Sequence, residues 1–152
     1  MERGGIFMSQ ISVTLLGAPS VQQDGRLICF PYRKAEGFFY YLCVKKTGTR
    51  EEVINILGAG NDETIAKKTL RDVIYTVRRL LGEDALTVIG NTAVQLSPDC
   101  HLAMDIDSLT PDNIADCYSG RFLQHFYIKN CPEFEQWSER LQADYHNKYI
   151  QA

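Results

Sequence analysis

The chain lacks the features that mark several large classes of protein. No apolar run reaches the ~18 residues of a membrane span, and the opening MERGGIFMSQ has no apolar signal-peptide core. No CxxC pair occurs. The five cysteines, Cys29, Cys43, Cys100, Cys117 and Cys131, are scattered and odd in number, which argues for reduced structural thiols rather than a disulfide framework. Cys100-His101 is the one adjacent pair of soft ligands, and nothing nearby completes a metal site. The GAGN run at 58–61 follows a helical stretch and lacks a GK[ST] ending, so it does not read as a phosphate loop. His101, His125 and His146 stand alone. Asp105 and Asp107 form a possible carboxylate pair with no nucleophile, metal cluster or glycine loop beside them. The expectation is a cytoplasmic protein that is not an enzyme, with no cofactor, no metal and no membrane partner.

Excess positive charge is also missing, because the net charge is −3. The distribution matters more than the total. Residues 1–98 carry 12 Lys and Arg against 10 Asp and Glu, and residues 99–152 carry 4 against 9. The acidic balance belongs to the C-terminal third, so it does not argue against an anionic partner for the first part. At 152 residues and 45% hydrophobic content, the chain suits one ordinary globular domain or one small domain with an appendage.

What is present is a basic amphipathic stretch, DETIAKKTLRDVIYTVRRLLG at 62–82. Advancing about 100° per residue puts Ala66, Leu70, Val73, Ile74, Val77, Leu80 and Leu81 on one side. Lys67, Arg78, Arg71, Thr64, Tyr75, Lys68 and Arg79 fall on the other, with Asp72 at the edge. Asp62 suits an N-cap, Glu63 suits the positive end of the dipole, and Gly82 suits a left-handed C′ position. The basic residues read as free of acids at i+4, unlike a face that merely dissolves a helix.

Before this helix, ISVTLL (11–16), SVQQ (20–23) and RLICF (26–30), with an Asp24-Gly25 turn, predict an antiparallel meander. RKAEGFFYYLCVKK (33–46) predicts a helix in which Gly37 marks a close packing contact. Thr49-Arg50-Glu51-Glu52 is a capping box opening a short helix over about 50–57. After Gly82, LTVIG (86–90) and AVQLS (93–97) predict a hairpin with Asn91 and Thr92 near its tip. Three helices with a basic third, followed by a hairpin, predict an α+β winged helix-turn-helix over 11–98. Beyond it, Thr110-Pro111 predicts a short helix to about Tyr118, and Pro132 opens a long one marked by Phe134, Trp137, Leu141, Tyr145 and Tyr149. That helix meets no stop signal, so the chain reads as a fragment.

The chain resembles the SARP-type bacterial transcriptional activators, which join an OmpR-like winged helix to a TPR-like bacterial transcriptional activation domain. The residues that carry the resemblance are Leu15-Leu16-Gly17, Asp24-Gly25, Arg33-Lys34-Ala35, Tyr41-Leu42 and Arg50-Glu51. To these are added Ala66, Leu70-Arg71, Val77-Arg78-Arg79 and Leu81-Gly82, then Tyr118, Gly120, Phe122-Leu123, Trp137 and Arg140-Leu141. The family has a tryptophan near the end of the second helix, where this chain has Gly58-Ala59. The resemblance implies that 99–152 begins the activation domain. It implies a duplex-DNA-binding regulator, an activator that contacts RNA polymerase, with dimers on direct repeats. Lys67, Lys68 and Arg79 are then the expected phosphate contacts, and Thr64, Arg71, Tyr75 and Arg78 face base edges. Asn91 and Thr92 reach the minor groove or backbone, and Arg50 joins its helix dipole in holding a phosphate. The competing reading is a winged-helix protein–protein interaction module that does not bind DNA.

Overall fold

The computed structural model describes residues 10–151 except 61, 99, 111 and 119. The fold is mixed α+β. In chain order its elements are β1 (Gln10–Thr14), β2 (Ser20–Gln23), β3 (Arg26–Ile28), α1 (Arg33–Lys45), β4 (Thr47–Thr49), α2 (Arg50–Ile56) and α3 (Glu63–Leu81). Then come β5 (Leu86–Ile89), β6 (Ala93–Leu96), β7 (His101–Met104), α4 (Ile114–Cys117) and α5 (Pro132–Gln151). Contacts gather them into two units. One holds Met1–Ile28, His101–Tyr127 and Gln136–Ala152, and the other holds Cys29–Cys100 and Ile128–Glu135. Among the described residues no helix is long and apolar enough to cross a membrane.

In the first unit the meander forms as expected. β1 alternates, with Ile11 and Val13 buried and Gln10, Ser12 and Thr14 exposed, the period of a half-buried strand. Asp24 and Gly25 both take positive φ, 52° and 83°, as a two-residue hairpin turn requires. The sheet has a fourth member that the sequence reading missed. β7 pairs parallel with β1, giving the order β3-β2-β1-β7. Asp105, directly after β7, accepts from the Leu15 N–H at 3.0 Å and the Leu16 N–H at 2.9 Å. It therefore acts as a backbone staple in place of the possible carboxylate pair.

α4 is shorter than expected. Thr110 and Asn113 bond reciprocally, Asn113 N–H to Thr110 Oγ1 and Thr110 N–H to Asn113 Oδ1, and the helix begins only at Ile114. Pro111 and Ser119 lie outside the described residues. Phe122 is fully buried, edge-on to Trp137 and stacked on Tyr145, with centroids 5.6 Å away in each case.

The second unit carries α1, α2 and α3 with a three-stranded sheet in the order β4-β6-β5. Its core includes Phe38, Phe39, Leu42, Val53, Leu57, Val73, Val77 and Val94, all nearly fully buried. Gly37 is the close contact its position implied. A Cβ there would stand 2.3 Å from Ile128 Cδ1 and 3.2 Å from the Phe134 ring. The capping box forms, with Thr49 Oγ1 accepting from the Glu52 N–H and Glu52 accepting from the Thr49 N–H. β4 was not expected. Gly48 sits buried in this strand opposite Val94.

Candidate nucleic-acid interface

α3 is fixed at both ends by its own sequence. The Asp62 carboxylate accepts from the N–H groups of Thr64 at 2.9 Å and Ile65 at 3.3 Å, a side-chain N-cap. Gly82 closes the other end at φ 113°, ψ 150°. This is not the left-handed well expected there but an extended positive-φ region reserved almost wholly for glycine. Between the caps Ala66, Val73, Val77 and Leu81 are buried, while Leu70, Ile74 and Leu80 are half-buried. The apolar stripe therefore anchors the helix along its length. The buried Thr76 hydroxyl is satisfied by donating to the Asp72 carbonyl at 2.8 Å.

Along the margin of the apolar stripe, residues four apart form one row. Glu63, Lys67, Arg71 and Tyr75 all line an open groove of about 800 Å³. Arg50 from α2 and Gly90 and Asn91 from the β5–β6 connection contribute to the same groove, with apolar lining from Leu70, Ile74, Val88 and Val94. Among the described residues four bases and three acids line it, Arg50, Lys67, Arg71 and Arg78 against Glu51, Glu63 and Glu83. The groove is thus close to neutral, and the positive ridge is the exposed arc of Lys67, Lys68, Arg71 and Arg79.

The expected contact residues divide into groups. Lys67 and Arg71 are exposed, and no hydrogen bond or ion pair holds either side chain among the described residues. Tyr75 is 60% exposed; its hydroxyl accepts from Arg79 Nη1 at 3.3 Å. It also borders a second depression, of about 320 Å³, with Tyr32, Lys34 and Thr76. Thr64 is exposed outside both linings. Lys68 is engaged: its Nζ lies 2.7 Å from Asp72 Oδ2. The basic arc is therefore not free of acids at i+4, which corrects that expectation.

Arg78 and Arg50 also differ from expectation. Arg78 is half-buried, donates from Nη2 to the Leu86 carbonyl at 3.1 Å, and has a buried Nε with no hydrogen-bond partner among the described residues. It ties α3 to β5, and only part of it faces the groove. Arg50 bonds through its guanidinium to Glu63, and its backbone N–H donates to the Thr92 carbonyl at 2.8 Å. The first amide of α2 is thus occupied, and the helix is only seven residues long. That amide is therefore not available to an anion. Thr92 closes its turn by donating its N–H and hydroxyl to the Ile89 carbonyl, at 3.0 and 2.9 Å, while Asn91 stays exposed at the groove.

Glu63 is the lining residue whose place the sequence reading did not anticipate, since it was read only as a dipole partner. The signal was available in the row Glu63, Lys67, Arg71, Tyr75. Among the described residues no group of His, Cys, Asp and Glu is placed to hold a metal ion.

No family model matches the chain, and no curated protein matches it by sequence. Among solved structures, EmbR of Mycobacterium tuberculosis, determined in complex with a low-affinity phosphopeptide, aligns with a TM-score of 0.66 over 93% of this chain. The chain has an EmbR-like fold. Sequence identity in that alignment is 14%, and the chain spans 44% of the EmbR chain.

Proposed function

We propose that the chain is a sequence-specific, double-stranded-DNA-binding transcription regulator of the SARP type, acting as an activator. In this reading α1, α2 and α3 with the β5–β6 hairpin are a winged helix-turn-helix. α3 enters the major groove, and the hairpin tip at Asn91 meets the backbone beside it. The observation that carries the reading is the pair Lys67 and Arg71. Both are exposed and unengaged on a helix capped at both ends that faces the groove. Lys67 and Arg79 are the phosphate contacts, and Arg71 is the bidentate reader of a guanine edge. EmbR of Mycobacterium tuberculosis has a similar fold over 93% of this chain. Contact with RNA polymerase and pairing on direct repeats rest on the family resemblance.

Binding sites selected from a random duplex pool test the reading. Arg71→Ala is expected to relax preference at one position and to leave the others as in wild type. Identical site preferences for the two proteins would remove α3 as the reading element. A second reading, a protein-interaction module, has its own support in the apolar groove lining and in Val88 and Ile89, which are 41% and 45% exposed. A gel shift with nonspecific duplex at low salt separates the two, because DNA-binding modules show salt-sensitive, roughly micromolar affinity there.

A further inference from the structure

We infer that Glu63 is a specificity-determining residue that reads the amino group of cytosine, and that Arg50 is the positioning residue that holds it for the task. The inference rests on the DNA-binding reading above. Three observations carry it. Glu63 opens the α3 row Glu63, Lys67, Arg71, Tyr75, and the first turns of a groove-reading helix are the part that meets base edges. Its side chain is 62% exposed while the Arg50 side chain is only 22% exposed, so the acid presents itself and the base is held behind it. The bond between them uses Glu63 Oε1, and a carboxylate with two oxygens has further lone pairs to offer.

The chemistry of the row gives Glu63 a distinct role. Arg71 carries only donors, which match the O6 and N7 acceptors of guanine, and Lys67 between Glu63 and Arg71 offers its single ammonium to a phosphate. Glu63 is the only carboxylate in the row, and cytosine N4 presents a donor that an acidic side chain accepts. A bare carboxylate among phosphates is unfavourable. The Arg50 guanidinium offsets that charge and fixes the direction of the free lone pairs. Each step of four residues advances about 6 Å along the helix, against about 3.4 Å per base pair. The guanine read by Arg71 therefore lies within about four base pairs of the cytosine read by Glu63.

The test is selection of duplexes from a random pool by wild type, Glu63→Gln, Arg50→Ala and Arg50→Lys. Wild type is expected to require cytosine at one position. Glu63→Gln is expected to replace it with adenine, since Gln pairs with adenine N6 and N7, a switch of roughly ten- to a hundredfold in relative affinity at that position alone. Arg50→Ala is expected to blur the same position, with partial recovery in Arg50→Lys. If Glu63→Gln selects the wild-type sequences, or tightens binding to every sequence alike, Glu63 does not read a base and the inference is overturned. Absence of duplex binding by wild type would overturn the functional reading itself, a separate outcome.

Discussion

α3 and α5 are similar in length, 19 and 20 residues, but their burial differs along the chain. In α3 the buried positions run from Ala66 to Leu81, so one face is anchored over the whole helix and the opposite face is defined over the whole helix. In α5 burial is strong at Phe134, Trp137 and Ser138, partial at Leu141 and Tyr145, and weak at Tyr149 and Ile150, which are 39% and 64% exposed. Charges follow the same contrast. α3 collects bases on one arc, whereas α5 mixes Glu139, Arg140, Asp144 and Lys148. A helix presents a defined surface when its other side is held along its full length, and α3 meets that condition.

The comparison predicts unequal losses. Phe134→Ala is expected to cost about 3–5 kcal/mol in chemical denaturation, because a fully buried ring leaves a cavity against Gly37. Tyr149→Ala is expected to cost less than half of that, although Tyr149 stacks on Tyr118 at 4.7 Å. Equal losses would break the contrast between the two ends of α5. For α3, Asp62→Ala is expected to cost about 1 kcal/mol through two lost cap bonds. No loss at all would mean that the cap does not hold the start of the row.

A smaller effect is expected at the capping box of α2. The Thr49 N–H, and then the Tyr41 hydroxyl, donate to Glu52 and hold its carboxyl below the usual carboxylate range. A depressed folded-state pKa gives stability that is fully present above the unfolded value and is lost as pH falls through the lowered one. The thermal midpoint of wild type should therefore exceed that of Glu52→Gln near neutral pH, and the gap should close in acid. A gap that stays constant with pH would place its origin elsewhere.

Local signals account for what the sequence made legible. The Asp24-Gly25 turn, the Thr49–Glu52 box, the Asp62 cap and the 3.6-residue period of α3 are each written within a few residues, and all appear. β4 and β7 were not legible because three or four residues hold no period, and their partners lie about 45 and 90 residues away. Within the candidate site, the helical wheel separated exposed from buried positions correctly at Lys67, Arg71 and Tyr75. It did not show that Arg78 would reach the Leu86 carbonyl, or that Arg50 would meet Glu63 across two helices. It should have shown Lys68 beside Asp72, an i,i+4 pair plain in the sequence.

The salt dependence of duplex binding tests the central claim most directly. Affinity for a nonspecific duplex, measured against salt for wild type and Lys67→Ala, is expected to fall with salt in both. The logarithmic slope should be shallower by about 0.9 in the variant, one phosphate contact's worth of released counterion. Binding indifferent to salt, or slopes that coincide, would contradict the assignment of α3 to the phosphate-lined groove.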